Sequence, residues 1–301
     1  MGKGWNKVIL FSVIIPHYNS IPLLKRLLNS IPIDESIQLI VVDDKSTVNL
    51  EEIKSLIEIR GGIFICNTTN GKGAGVCRNL GLRQAIGRWL VFADADDYFL
   101  EGAFDILGKY SYAEEDIIYF SPISIYENGA VAKRHVSYEK FVKCYVEMPS
   151  THNEMILRYK FMTPWSRMIK NQLVQKNEIF FDEIPASNDV MFSMKTAYWA
   201  KKIGASEEKI YCVTSAKNTL TTKRNEQYYW ARVETFVNRY DFMRAHLDLD
   251  RHGYVLPMGL LVIIRAVRQR YSPAFVYKIY RYLRKNHIVM FSFKNLACQI
   301  L

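Results

Sequence analysis

The amino-terminal third of the chain alternates between short, unbroken apolar runs and stretches with a helical apolar stripe. Runs at 8–15, 37–42, 63–66 and 88–93 are rich in Val, Ile, Leu and Phe without polar alternation, the pattern of strands buried on both faces. Pro16 is expected to stop the first of them. Between the runs lie helical segments. In 22–30, Leu23, Leu24, Leu27 and Leu28 make the stripe of a helix laid on a core. Residues 50–59 read as a helix broken by Gly61-Gly62, and 73–85 and 101–110 read as two more. Four strands, each followed by a helix, predict a parallel α/β sheet with right-handed crossovers.

After residue 116 the rhythm changes. Short strands are expected at 117–120, 123–126 and 131–134 around the hairpin signal Asn128-Gly129. Residues 136–158 read as a helix in two pieces, broken near Pro149. A strand at 163–169, a helix at 171–176, a helix at 187–200 entered through Asn188 and Asp189, and a last strand at 209–213 follow. These are antiparallel additions to an open sheet. Beyond Thr221 the pattern is helical, at 227–247, 256–270, 274–286 and 291–300. The expected division is a catalytic-type α/β domain at 1–220 and a helical extension at 221–301.

Charge sharpens that division. The formal charge is +10; residues 1–220 account for +1 of it and 221–301 for +9, with no acidic residue after Asp250. The basicity thus belongs to the extension. Cys66, Cys77, Cys144, Cys212 and Cys298 form no C-x-x-C pair, which argues against a zinc site or a disulfide framework and suits a reducing compartment. No signal peptide is expected from residues 1–7, and the apolar segment 254–264 is too short to span a bilayer and is interrupted by Pro257.

Parallel sheets bind ligands beyond the carboxyl ends of their strands. His17-Tyr18-Asn19, Asp43-Asp44 and the carboxylates Asp94, Asp96 and Asp97 all fall there. Asp94 and Asp96 are two residues apart, so an extended backbone would place both on one face. Their repulsion is relieved by a hard divalent cation, or the segment is simply an acidic turn in which Asp97 caps the next helix. The Gly71-Lys72-Gly73-Ala74-Gly75 loop matches no phosphate-loop spacing and reads as a helix entry. One turn on, Arg78 can grip a phosphate or a base carbonyl, or make a surface ion pair.

Four segments together resemble family 2 glycosyltransferases of the GT-A fold: Ser12-Val13-Ile14-Ile15-Pro16-His17-Tyr18-Asn19, Val41-Val42-Asp43-Asp44-Lys45-Ser46-Thr47, Asn70-Gly71 leading to Arg78-Asn79-Leu80-Gly81, and Phe92-Ala93-Asp94-Ala95-Asp96-Asp97. The likeness continues through Trp165-Ser166-Arg167-Met168-Ile169-Lys170 and Asn188-Asp189-Val190-Met191-Phe192, so that it covers about residues 8 to 220. It implies a Rossmann-like GT-A sheet, a nucleoside-diphosphate-sugar donor (UDP favoured) and inverting transfer to a glycan acceptor. By it, Asp44 would accept from the base, Pro16, Tyr18 and Asn19 would border the nucleotide, and Arg78 would contact base or diphosphate. Asp94 and Ala95 would lie by the ribose, and Asp96, with Asp94, would hold Mn2+ or Mg2+. Asp189 would be the general base. The family usually has Glu-Asp where this chain has Asn188-Asp189, which bears on how the acceptor is positioned. Trp165 would offer an apolar platform to a sugar, or be a core residue.

In 274–286, Lys278, Arg281 and Lys285 recur at helical spacing opposite Val276, Ile279 and Leu283, with Tyr277, Tyr280 and Tyr282 between. This pattern suits either an anionic membrane surface, reached through 251–301, or a solvated face of a packed helix. Nucleic acid is excluded for want of any binding motif beside the charge. The resulting expectation is a cytoplasmic enzyme, peripheral on the membrane and acting on a lipid-linked surface glycan. A sugar nucleotidyltransferase or a non-catalytic nucleotide-sugar-binding relative are the alternatives.

Overall fold

The computed structural model describes residues 8–47, 49–215 and 225–292. Its first half follows the apolar pattern: β1 (Phe11–His17), α1 (Ile21–Asn29), β2 (Ile37–Asp43), α2 (Leu50–Glu58), β3 (Ile63–Cys66), α3 (Ala74–Leu82) and β4 (Trp89–Phe92). Then come β5 (Tyr98–Phe99), α4 (Ala103–Lys109), β6 (Ile117–Tyr126), α5 (Val136–Glu147), α6 (Thr151–Lys160), β7 (Arg167–Lys170), α7 (Asn171–Lys176), α8 (Val190–Trp199) and β8 (Ile203–Ser215). All eight strands join one sheet in the order β3-β2-β1-β4-β7-β6-β8-β5. The four amino-terminal strands are mutually parallel. β7 lies antiparallel to β4 and to β6, β5 antiparallel to β8, and β6 parallel to β8. This is the mixed α/β architecture expected.

The sheet core is what the apolar runs supply. Val13, Ile14, Ile15, Ile40, Val41, Val42 and Leu90 are fully buried, each removing a side chain worth about 1.5–3 kcal/mol from water. α1 covers them with Leu24, Leu27 and Leu28. α3 approaches β1 so closely that a Cβ on Gly81 would lie 2.5 Å from Ile14 Cγ2.

Several boundaries differ from the sequence reading. Pro16 does not end β1 but pairs with Val42 inside it. β4 pairs with β1 only as far as Ile14, whose carbonyl accepts from Ala93. The missing N–H of Pro16 faces that same side two residues on, where the ladder has already ended. Residues 117–126 form one strand rather than two, with register irregularities on either side of Ser121. The Asn128-Gly129 turn forms, with Gly129 at φ 82° and Tyr126 N–H donating to the Ala130 carbonyl. Its return arm at 131–134 is no strand, only a single bridge between Val131 and Ile125. β8 is 13 residues long instead of five, because pairing with β6 extends it through the polar Glu207-Glu208 segment.

The helical extension comprises α9 (Glu226–His246), α10 (Leu249–His252), one 3-10 turn (Gly253–Val255), α11 (Gly259–Arg268) and α12 (Pro273–Lys285). The helix expected at 256–270 starts late, after Pro257, and the one expected at 291–300 lies largely outside the described residues, as does the expected boundary at 220. α9 lays Tyr229, Val233, Val237, Tyr240 and Met243 into a second core shared with Tyr159 of α6 and Met191, Met194 and Ala197 of α8. Arg239 of α9 also donates to the Tyr159 carbonyl at 2.8 Å. Phe275, Ile279 and Leu283 of α12 point into this core, which leaves Lys278, Arg281, Lys285, Tyr277 and Tyr280 exposed.

Candidate functional site

The carboxyl ends of β1, β2 and β4 bring the polar clusters to one edge. At β1, Ser20 N–H donates to His17 Nε2 at 3.2 Å, so the ring proton sits on Nδ1 and is donated to Asp43 at 2.8 Å. Asn19 adopts φ 53° and accepts from Thr47 N–H at 2.8 Å, tying the end of β1 to the loop after β2. Tyr18 is left exposed with Lys72 Nζ 4.7 Å from its ring centre. Asp44 is buried. Its carboxylate accepts from Gly73 N–H at the start of α3 (2.8 Å) and from Asn67 Nδ2 (2.9 Å), so it anchors the glycine loop as well as facing the edge.

The acidic segment after β4 is a turn rather than extended backbone: Asp97 N–H donates to the Asp94 carbonyl at 2.9 Å. The turn still gathers Asp94, Asp96 and Asp97, whose carboxylate oxygens come within 4.8 Å of one another. They do not play equal parts. Asp97 is buried and accepts from Tyr211 Oη at 3.0 Å and Thr214 N–H at 2.7 Å. It therefore pins β8 to the turn and does not cap α4, whose N-terminus is Gly102. Burial pushes its pKa well up, and Asp96 and Asp94 add to the shift. Asp94 is half-exposed and ion-paired with Arg78, while Asp96 projects outward. Desolvation in the cleft and the Asp94 charge raise the Asp96 pKa. A hard divalent cation fits this donor set: Asp96 and the second oxygen of Asp94 are the available ligands, and the crowded carboxylates gain from a cation between them. Ala95 lies half-buried between the two.

Arg78 joins the two halves of the site. Its buried guanidinium donates to Asp94 Oδ1 and, at 2.8 Å, to Asn188 Oδ1. Asn188 precedes Asp189, the residue from which α8 starts. Burial raises the Asp189 pKa, and the Arg78 charge opposes the shift. Two features bring the 182–189 segment this close. A Cβ on Gly75 would lie 2.2 Å from the Asp182 carbonyl oxygen, so only glycine permits the contact. Asn79 donates to the Phe181 carbonyl and accepts from Phe181 N–H, at 3.0 and 2.8 Å.

Trp165 gives no open platform. It is 1% exposed, stacked on Tyr211 at 5.9 Å and edge-on to Tyr138 at 5.0 Å, so it packs beneath the site instead. The sequence reading also passed over Tyr211 and Arg26. Tyr211 Oη accepts from Asp94 N–H at 2.9 Å while donating to Asp97, and Arg26 of α1 donates to the Asp96 carbonyl and, at 3.0 Å, to Thr214 Oγ1. No motif signals either residue, because their partners lie 70 to 188 positions away.

Comparison with known proteins agrees with this geometry. The chain is 27% identical over 207 residues to the poly(ribitol-phosphate) beta-N-acetylglucosaminyltransferase TarS of Staphylococcus aureus, covering 67% of this chain and 35% of that one. It is 29% identical over 209 residues to a poly(ribitol-phosphate) beta-glucosyltransferase of Bacillus spizizenii, covering 66% and 31%. The chain thus spans about a third of the length of these relatives. Among solved structures, S. aureus TarS 1–349 in complex with UDP-GlcNAc superposes with a TM-score of 0.64 at 24% identity, over 82% of this chain and 70% of that one. A Pyrobaculum calidifontis mannosyltransferase in complex with GDP-Man and Mn2+ gives 0.55 at 14% identity, over 93% and 81%; both likenesses are of fold. The model of the glycosyl transferase family 2 matches residues 12–176, more than half of the chain, and the protein belongs to that family.

Proposed function

We propose that the protein transfers a sugar from a UDP-sugar to a glycan acceptor with inversion at the anomeric carbon. The observation that carries this reading is the Arg78 bridge, which ties the acidic turn to the segment bearing Asp189. A single displacement needs a base and a leaving-group site held on opposite sides of one sugar, and this bridge would hold Asp189 at a set distance from the acidic turn. Asp44, Pro16, Tyr18 and Asn19 would frame the nucleotide, and Arg78 would face the diphosphate. Asp96 and Asp94 would hold Mg2+ or Mn2+, which when bound stabilises the charge that grows on the departing diphosphate. Asp189 would take the acceptor hydroxyl proton. Its raised proton affinity, caused by burial, suits a carboxylate for that step. Asn188 would orient the acceptor through its bond to Arg78.

The family match supports this over a nucleotidyltransferase. Relatives named for polyol-phosphate glycosylation support a surface-glycan acceptor, and we extend this to one that is lipid-linked and met at the cytoplasmic side of the membrane. No helix among the described residues is long and apolar enough to cross a membrane. Peripheral contact through 251–301 is supported by the exposed Lys278, Arg281, Lys285, Tyr277 and Tyr280 of α12. Screening nucleotide sugars for nucleoside-diphosphate release, with Asp96→Asn as control, tests the donor reading. Full metal-dependent release by that variant would remove Asp96 from the metal site.

A further inference from the structure

Arg167 is a buried cation outside the proposed mechanism. It opens β7, and because β7 runs antiparallel to β4, with Met168 opposite Val91, Arg167 lies level with the carboxyl end of β4 at the ligand edge of the sheet. The residue before it is firmly held. Ser166 adopts φ 55°, donates from Oγ to the Phe120 carbonyl at 3.0 Å, and its own carbonyl accepts from Phe120 N–H at 2.9 Å. A serine persists in the left-handed region where its surroundings over-determine it.

The Arg167 side chain is 0% exposed. Its guanidinium donates to Ser193 Oγ at 2.7 Å, and Ser193 donates to the Met162 carbonyl at 2.8 Å. Ser193 N–H bonds the Asp189 carbonyl at 3.0 Å, so the guanidinium reaches the first turn of α8. Yet Arg167 makes no ion pair among the described residues, and its Nε and Nη1 find no acceptor there. The Tyr119 ring lies 5.9 Å from its Cζ. One hydrogen bond to a serine does not offset the desolvation of a guanidinium, so the charge needs an anion within reach. Two guanidiniums act on Asp189, those of Arg78 and Arg167. Arg78 is already committed to Asp94 and Asn188, whereas Arg167 has no other carboxylate. The remaining groups facing the pair are Asp94 on the acidic turn and the phenols of Tyr119 on β6 and Tyr138 on α5. Burial raises both phenol pKa values, so neither is an anion near neutral pH. Buried charges are also screened little by salt.

We propose that Arg167 is a positioning residue for the base: its buried charge favours the Asp189 carboxylate without an ion-pair contact, while its bond to Ser193 holds the turn that carries Asp189. This rests on the reading of Asp189 as the base and adds a second, hidden cation behind it.

The test is a double-variant cycle on the full chain, read by thermal melting at pH 8 in wild type, Arg167→Met, Asp189→Asn and the pair. Asp189→Asn should raise Tm by at least about 2 °C more in the Arg167→Met background than in wild type. That excess should fade as pH falls and Asp189 takes up its proton. Arg167→Lys keeps the charge and Ser193→Ala removes only the hydrogen bond, so neither background should show the excess. In UDP release, with a glycerol-phosphate oligomer as the acceptor probe, the acid limb should move up by about half a pH unit or more in Arg167→Met and stay in Arg167→Lys. Additive Tm changes, an equal excess with Arg167→Lys, or an unmoved acid limb in Arg167→Met would each overturn the proposal. Should Arg167→Met fail to fold alone, the double variant should fold, because the uncompensated carboxylate is gone; failure of both would overturn it too. The base reading is decided separately: acceptor-dependent UDP release by Asp189→Asn would remove Asp189 as the base whatever the melting cycle gives.

Discussion

Replacing Tyr211 with phenylalanine removes one oxygen from the centre of the site and leaves the ring stacked on Trp165. That oxygen is fully buried and serves two partners: it accepts from Asp94 N–H at 2.9 Å and donates to Asp97 at 3.0 Å. Without it, the Asp94 N–H loses its acceptor, and Asp97 keeps only Thr214 N–H. An orphaned buried donor costs about 1–3 kcal/mol, and an ordinary hydrogen bond contributes about 0.5–1.5 kcal/mol. Allowing for relaxation, the loss should be about 2–4 kcal/mol, equivalent to roughly 3–6 °C in Tm for a chain of this size. Differential scanning fluorimetry measures it, and titration with Mn2+ should show weaker binding because the acidic turn is no longer held. A Tm within about 1 °C of wild type, with unchanged metal affinity, would refute the view that this hydroxyl shapes the turn.

Asp189→Asn should lower kcat by about 10²–10⁴ while UDP still binds. The same change should stabilise the fold at neutral pH, because burial raises the Asp189 pKa and the folded state therefore disfavours the carboxylate. Wild-type stability from this group is present below the ordinary Asp range, about pH 4, and is lost as pH rises through the raised value. The Tm advantage of the variant should thus vanish in acid, and one that grew toward low pH would contradict the reasoning. Gly75→Ala should cost at least about 1–3 kcal/mol, because its Cβ meets the Asp182 carbonyl, and should displace the segment carrying Asp189. The control, Gly108→Ala in α4, meets nothing within 4 Å and should be neutral or stabilising in the same melt.

The parallel half of the fold was legible because burial on both faces leaves short unbroken apolar runs: β2 and β4 fall close to theirs, and α1 to its leucine stripe. The additions were harder. β5 is two residues long, too short for any period, and the first half of β8 is polar, so its strand state comes from β6 alone. Within the site, Arg78, Asp94 and Asn188 do meet, since all three lie in recognisable segments. Asp97 was misread as a helix cap because the partner that claims it, Tyr211, lies 114 positions further on in a strand with no motif. Trp165 shows the opposite ambiguity: sequence offers no means of telling a tryptophan that lines a cleft from one that supports its floor.

A sugar-nucleotide transferase site built on the acidic turn and Asp189 is tested most directly by one measurement. UDP release should be followed across a panel of UDP-sugars with a polyol-phosphate acceptor and Mn2+, using wild type, Asp96→Asn and Asp189→Asn in parallel. Wild type should release UDP with at least one donor, Asp96→Asn should lose metal-dependent release, and Asp189→Asn should bind UDP without acceptor-dependent release. Full turnover by both variants would contradict the assignment.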